Sequence, residues 1–366
     1  MNSTVKENKM VSPYFLFFLM HSTQTGVGVL NFQSKIIKGA EHEAWISIFA
    51  LGLLMHIIFF MILYILKQTS SRDILSFHKD VFGKYLGGAL NIIMTCYFAA
   101  AGLFTLHTYI NVLEIWVFDG INSWEYSLLF SILIFYIIAG GFRIVTAIAF
   151  WGVVIPTIIL LSLLFVLKYA EVTYILPLFE HRVMDYFISA KEALPIYLGF
   201  ETVLVFYPFI KDGERAKKWG HLGLLNTTLQ YTIITILTFL FFSQGKLGHL
   251  TWPTLTMIKI ISFPFLERFE FIFIFTWLLV VMPVICIYLW SAIRTIKLTI
   301  PKAKPTFILF GFLAIYQFVN SYYVEMEFSL LLGEIVNYSG LVFLFGYIPF
   351  LFIVSVVRKK LKKVPN

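Results

Sequence analysis

Apolar residues fall along this chain in blocks of about twenty, separated by short polar links, at residues 13–33, 44–66, 84–110, 124–142, 144–168, 190–210, 220–243, 271–297, 306–324 and 334–357. A helix rises 1.5 Å per residue, so about twenty residues cross a hydrocarbon core roughly 30 Å thick. The pattern predicts an all-α integral membrane protein of ten transmembrane helices. Only Gly140, Gly141 and Arg143 part the fourth span from the fifth. Residues 245–270 are too polar to span; Trp252-Pro253-Thr254, followed by Leu255, Ile258 and Ile261 on one face, predicts a short helix at the outer surface.

Five spans in each half give a geometric consequence. With an odd number per half, the first span and the sixth run in opposite directions, so residues 13–168 and 190–357 form an inverted pair of five-helix repeats within a single membrane domain, 1–366. The first span carries Thr25-Gly26-Val27-Gly28 at its middle. Glycine in a helix interior costs about 1 kcal/mol relative to alanine, and a bare amide in lipid costs several more. Close helix packing is one explanation; a helix broken to open its backbone to a ligand is the other. The inverted pair predicts a matching interruption in the sixth span, where Pro195, the run Leu198-Gly199-Phe200-Glu201 and Pro208 stand.

Composition and charge agree with the span pattern. The chain is 59% hydrophobic and only 13% charged, too little polar surface to coat a soluble body of 366 residues. Its net charge of +8 resides in short links and in the C-terminal run, which points to anionic lipid headgroups rather than nucleic acid. With both termini placed inside, 20 of the 28 Lys and Arg residues fall on the inner side, as the positive-inside rule requires. Lys6 and Lys9 precede the first apolar run as in a signal peptide, but no small-residue cleavage site follows, so that run reads as a retained span. Cys96 and Cys286 lie inside spans and read as packing residues.

Candidate chemistry centres on Glu201. An ionisable group near the bilayer centre costs at least about 2.5 kcal/mol, and is tolerated mainly where it faces a cavity or a partner. Its carboxylate suits three roles: holding an amine, relaying a proton, or capping the amides of a broken helix. In the third span Tyr97, Ala101, Thr105 and Thr108 recur at helical spacing as one semi-polar stripe, which suits either a pocket wall or helix packing. His56, His107 and Glu114 are explained by local hydrogen bonds as well as by a proton path. There is no phosphate loop, HExxH pair, CxxC cluster or nucleophile triad, so an ATPase, metalloprotease or redox enzyme is not expected, nor a metal or cofactor. The eighth span has no hydroxyls around Pro283, and the fifth no lysine before Lys168. A sodium site of central hydroxyls and a lysine in place of sodium are therefore both unsupported.

Gly26-Val27-Gly28, Cys96-Tyr97-Phe98, Leu198-Gly199-Phe200-Glu201, Trp252-Pro253-Thr254, Glu267-Arg268-Phe269-Glu270 and the basic run Arg358 to Lys363, in this order across ten spans, give the chain a family likeness. It resembles the permease-like B subunit of the spore nutrient germinant receptors of endospore-forming bacteria, a family similar to the amino acid-polyamine-organocation transporters. The resemblance implies a ligand-sensing subunit in the inner spore membrane, acting with a companion membrane A subunit and a lipoprotein C subunit, and a small nutrient ligand such as an amino acid.

On this reading the ligand's carboxylate meets amides freed at Gly26, Val27 and Gly28, with Thr25 as a further ligand-binding candidate at the same break. Carbonyls of Leu198 and Gly199 together with Glu201 hold its amine, and Tyr97, Ala101 and the eighth span at Pro283 shape the side-chain pocket. Two alternatives remain: a proton-coupled amino acid transporter with Glu201 in the relay, and a membrane scaffold with a vestigial pocket.

Overall fold

A computed structural model describes residues 5–117, 120–261 and 268–361. Among these the chain is helical, and its only bridge of strand type pairs Val11 with Ile210. The principal helices are α1 (Phe15–Gln24), α2 (Ala44–Leu66), α3 (Ile74–Trp116), α4 (Ser123–Ala139), α5 (Phe142–Leu160), α6 (Val183–Ala193), α7 (Gly213–Phe241), α8 (Pro253–Ile258), α9 (Phe269–Thr299), α10 (Pro305–Tyr322), α11 (Met326–Leu341) and α12 (Ile348–Leu361). Six helical stretches among the described residues are long and apolar enough to cross a membrane, counting α5 with the 3-10 turns after it and α11 with α12. The segments 123–139 and 200–209 are apolar but shorter.

The expected turn between the fourth and fifth spans is present. Gly141 sits there at φ +81°, a conformation that costs glycine little. The centre of the molecule is α9, which packs along α3 and α5, while α7 packs against α1 and α2. Apolar side chains from all of these form one continuous core, and many outward side chains, such as Ile57, Phe60, Ile132 and Phe307, are apolar too. Apolar residues on both the inside and the outside are what a bilayer solvent requires.

Both expected interruptions are real breaks. Helix α1 stops at Gln24, Thr25 is extended, Gly26 leaves helical geometry, and the chain resumes as a 3-10 turn over Val27–Leu30. The sixth span is a chain of short turns, Leu194–Tyr197, Phe200–Thr202, Val203–Phe206 and Tyr207–Phe209, with Leu198 extended and Gly199 at φ +116°. The two broken segments meet again at one end, where the Val11 amide donates to the Phe209 carbonyl at 2.8 Å and the Lys211 amide to the Val11 carbonyl at 2.9 Å.

The segment after α7 forms the expected short helix, α8, and packs closely against the rest of the chain. Trp252 is only 7% exposed, and Thr254, Leu255 and Ile258 are fully enclosed. The reason is a polar anchor: Thr254 donates to the Val29 carbonyl at 2.8 Å and accepts from Gln33 Nε2 at 2.6 Å. Helix α8 therefore docks onto the chain beyond the first break. Glu267 of the expected Glu267–Glu270 motif, and Lys362 and Lys363 of the basic run, lie outside the described residues.

Candidate functional site

The two breaks face one another across a cavity of about 100 Å³. At the ~10–15 Å³ of such space that one water needs, that is room for several waters. It is well below the roughly 300 Å³ at which pockets for drug-sized ligands begin. Only a small molecule fits.

A broken helix must dispose of its freed backbone groups, and most are claimed by side chains from other helices. The Gln24 carbonyl accepts from the Tyr231 hydroxyl at 2.8 Å, the Gly26 carbonyl from Trp277 Nε1 at 3.2 Å, and the Tyr197 carbonyl from Gln24 Nε2 at 3.1 Å. Thr202 closes the Gly199 carbonyl at 2.6 Å. Two sets of groups are left over. No hydrogen bond among the described residues takes up the amides of Gly26, Val27 or Gly28, and Gln24 Oε1 is buried without a donor. The residues that carry these groups, Gln24, Gly26, Val27 and Gly28, all border the cavity.

Glu201 lies behind this cavity, fully enclosed. Its Oε1 accepts from the Tyr97 hydroxyl at 2.7 Å and, more distantly, from the Tyr288 hydroxyl at 3.4 Å. Its Oε2 accepts from the Gly199 amide at 2.7 Å. The carboxyl therefore caps the second break and ties it to α3 and α9. Glycine is required at 199 on two counts: the positive φ, and a Cβ there would sit 2.1 Å from the Thr23 carbonyl oxygen. Through that contact the two breaks fit against each other.

The expected ligand residues therefore divide. Gly26, Val27, Gly28, Ala101 and Leu198 border the cavity. Thr25, Tyr97, Gly199, Glu201 and Pro283 do not, and each has a reason. Thr25 turns its hydroxyl back to the His21 carbonyl at 2.5 Å. Tyr97, Gly199 and Glu201 satisfy one another. Pro283 cannot bond the Leu279 carbonyl, and that side of α9 faces Gly152 of α5, where a Cβ would lie 2.2 Å from the carbonyl oxygen and 2.9 Å from Pro283 Cγ. The neighbouring Val284 lines the cavity instead. Of the third-span stripe, Ala101, Thr105 and Thr108 form one wall.

Several cavity residues had no signal in the sequence. Gln24 and Asn31 were missed although, as polar residues flanking the glycines in an apolar span, they carry a signal that could have found them, whereas Tyr231, Tyr288 and Asn337 come from spans that gave no hint of one shared place.

Comparison with known proteins now decides the family. The profile of the spore permease family, described as spore germination proteins, matches residues 10–329. The chain is a spore germination protein of this family. It is 37% identical to spore germination protein GerQB of Bacillus cereus over 354 residues, 96% of this chain and 98% of that one. It is 25% identical to spore germination protein B2 of Bacillus subtilis over 71% of each chain, and 24% identical to YndE of the same organism over 92% of this chain and 93% of the other. The matches to GerQB and YndE run over nearly the whole of each chain.

Proposed function

We propose that this germination protein is the nutrient-sensing membrane subunit of a germinant receptor, and that its ligand is a small amino acid held between the two breaks. The observation that carries the reading is the pairing, around one cavity, of three unclaimed amides at Gly26, Val27 and Gly28 with the unclaimed acceptor Gln24 Oε1. Amides opened by a broken helix suit a carboxylate, and an amide oxygen suits an ammonium. Glu201 takes the role of holding the break in shape rather than touching the amine, because its oxygens are already engaged. The side chain lies toward Ala101, Leu198 and Val284, and the small volume favours short aliphatic side chains.

The ten spans form two inverted five-helix repeats, 13–168 and 190–357, in the inner spore membrane, with both termini on its cytoplasmic side. A membrane A subunit and a lipoprotein C subunit complete the receptor. A ligand at a hundred times its Kd supplies about 2.7 kcal/mol, whereas turning a two-state balance from 1:99 to 99:1 takes about 5.5. Several such subunits therefore act together in throwing the switch.

Calorimetry of the purified full chain against a panel of small amino acids tests the site. Saturable binding of one or more, lost in Gly26→Leu at unchanged protein level, is the expected result; binding that survives Gly26→Leu removes the cavity from consideration. Reconstituted vesicles separate sensing from transport: amino acid uptake driven by a proton gradient would make this a symporter. No nutrient response and no binding, with the receptor complex still assembled, would make it a scaffold.

A further inference from the structure

Helix α6 and the turn after it form a wall with two different faces. Glu192, Pro195 and Ile196 border the central cavity, whereas Lys191 and Leu194 border a separate groove of about 560 Å³ on the opposite side. That groove runs between α2, α6 and the end of α11, and its walls are apolar: Leu51, Leu54, Phe187, Leu194, Leu341 and Phe345. The single formal charge on its rim is Lys191, which enters no ion pair among the described residues, while the adjacent Glu192 is engaged by Lys38 at 3.7 Å.

Dimensions decide what fits. Along α2 the groove extends from Ile46 to Leu54, which at 1.5 Å per residue is about 12 Å. That is close to half of a ~30 Å hydrocarbon core, the depth of one leaflet. A spanning helix about 10 Å wide and 30 Å long occupies on the order of 2,400 Å³, several times the groove. An acyl chain has the right reach, and a lone lysine where the groove meets the end of the sixth span suits a phosphate rather than a zwitterionic headgroup.

We propose that this groove is a binding site for one anionic phospholipid, its acyl chain laid between α2 and α6 and its phosphate on Lys191. The lipid then buttresses the outer wall of the cavity from behind. A second groove supplies an internal control: it lies between α1, α5 and α7, has a volume of about 650 Å³, and is lined by Phe17, Phe18, Phe150 and Leu229 with no charged side chain.

The test uses the full chain in phosphatidylcholine vesicles containing about a fifth phosphatidylglycerol, with a photoreactive acyl chain on either lipid. The anionic probe is expected to label peptides from 46–54 and 183–194 several-fold more than the zwitterionic probe does, with no such preference at the control groove. Lys191→Gln is expected to erase that preference, and Ala50→Trp, which fills the groove, to reduce labelling by both probes. Phosphatidylglycerol is also expected to raise the melting temperature of the wild type in detergent and not that of Lys191→Gln. Equal labelling of the two grooves by both probes, or a preference that survives Lys191→Gln, identifies ordinary bulk lipid and overturns the proposal. Exclusion of both probes by a co-purifying membrane protein cross-linked to the same peptides overturns it in favour of a protein partner.

Discussion

The Tyr97 hydroxyl donates to Glu201 Oε1 across 2.7 Å, joining the middle of α3 to the broken sixth span inside an enclosed apolar interior. The same carboxyl receives the Gly199 amide, so one side chain fixes both the tertiary contact and the local break. Removing one partner of a buried hydrogen bond costs about 1–3 kcal/mol. Tyr97→Phe is therefore expected to lower stability by that order, read as a reduced melting temperature in detergent. An unchanged melting temperature would mean that Tyr288 alone satisfies the carboxyl.

Glu201→Gln and Glu201→Leu separate capping from charge. A glutamine keeps an acceptor for the Gly199 amide, and the tyrosine hydroxyls can rotate to accept from its NH2. It is expected to accumulate to near wild-type levels, whereas leucine leaves the Gly199 amide bare and is expected to accumulate poorly. Equal accumulation of the two variants, measured by immunoblot of membranes, would remove the capping role.

The glycines at the two breaks are not equivalent. A Cβ at Gly199 would meet the Thr23 carbonyl at 2.1 Å on a backbone whose positive φ disfavours any side chain, but one at Gly26 meets only Val284, at 4.0 Å. Gly199→Ala is expected to prevent stable insertion, and Gly26→Ala to leave the level unchanged while weakening ligand binding by crowding the cavity. Normal accumulation of Gly199→Ala, with an unaltered protease-cleavage pattern, would show that the breaks can slide apart.

Trp277 holds the Gly26 carbonyl at 3.2 Å. Trp277→Phe keeps an aromatic ring but frees the carbonyl, and at about 1–3 kcal/mol for an unpaired buried group the expected loss in ligand affinity is about five-fold or more. Titration calorimetry reads this directly, and affinity within a factor of two of wild type would place the carbonyl outside the binding energetics.

At the far end of α6, the Tyr186 hydroxyl donates to the Glu43 carboxylate. Burial, followed by that hydrogen bond, pushes the phenol up from 10.0 to about 12. A raised folded-state value means the contribution is complete below the unfolded pKa near 10 and is lost as pH rises through about 12. The difference in melting temperature between wild type and Tyr186→Phe is expected to stay constant from pH 6 to pH 9 and to shrink above pH 10. A difference that changes between pH 6 and pH 8 would show that ionisation of the phenol does not govern the contribution.

Both breaks were legible in the sequence because they rest on local chemistry: Gly26 and Gly28 in one apolar run, and Pro195 with Leu198 to Glu201 in another. Glu201 was recognisable as a residue with a special task, since a carboxyl in an apolar span needs a partner. Its particular task was not, because the partners arrive from Tyr97 and Tyr288, more than eighty residues away on either side. Trp252 shows a contact that was not legible. Its Pro-Thr neighbours mark a helix start correctly, yet Thr254 draws the helix inward by bonding Val29 and Gln33, contacts with no periodicity to betray them.

Sequence alone determined that this protein is helical, that it belongs in a membrane and where its backbone is interrupted, because hydropathy and the cost of glycine and proline in a helix act over a few turns of chain. Tertiary structure decided which freed groups are spent and which stay open. Tyr231, Trp277 and Glu201 each claim one group at a break, and what they leave unclaimed are the amides of Gly26 to Gly28 and Gln24 Oε1. A hydrogen bond needs its partners within about 3 Å, and only the packing of α3, α7 and α9 around the two breaks supplies that proximity.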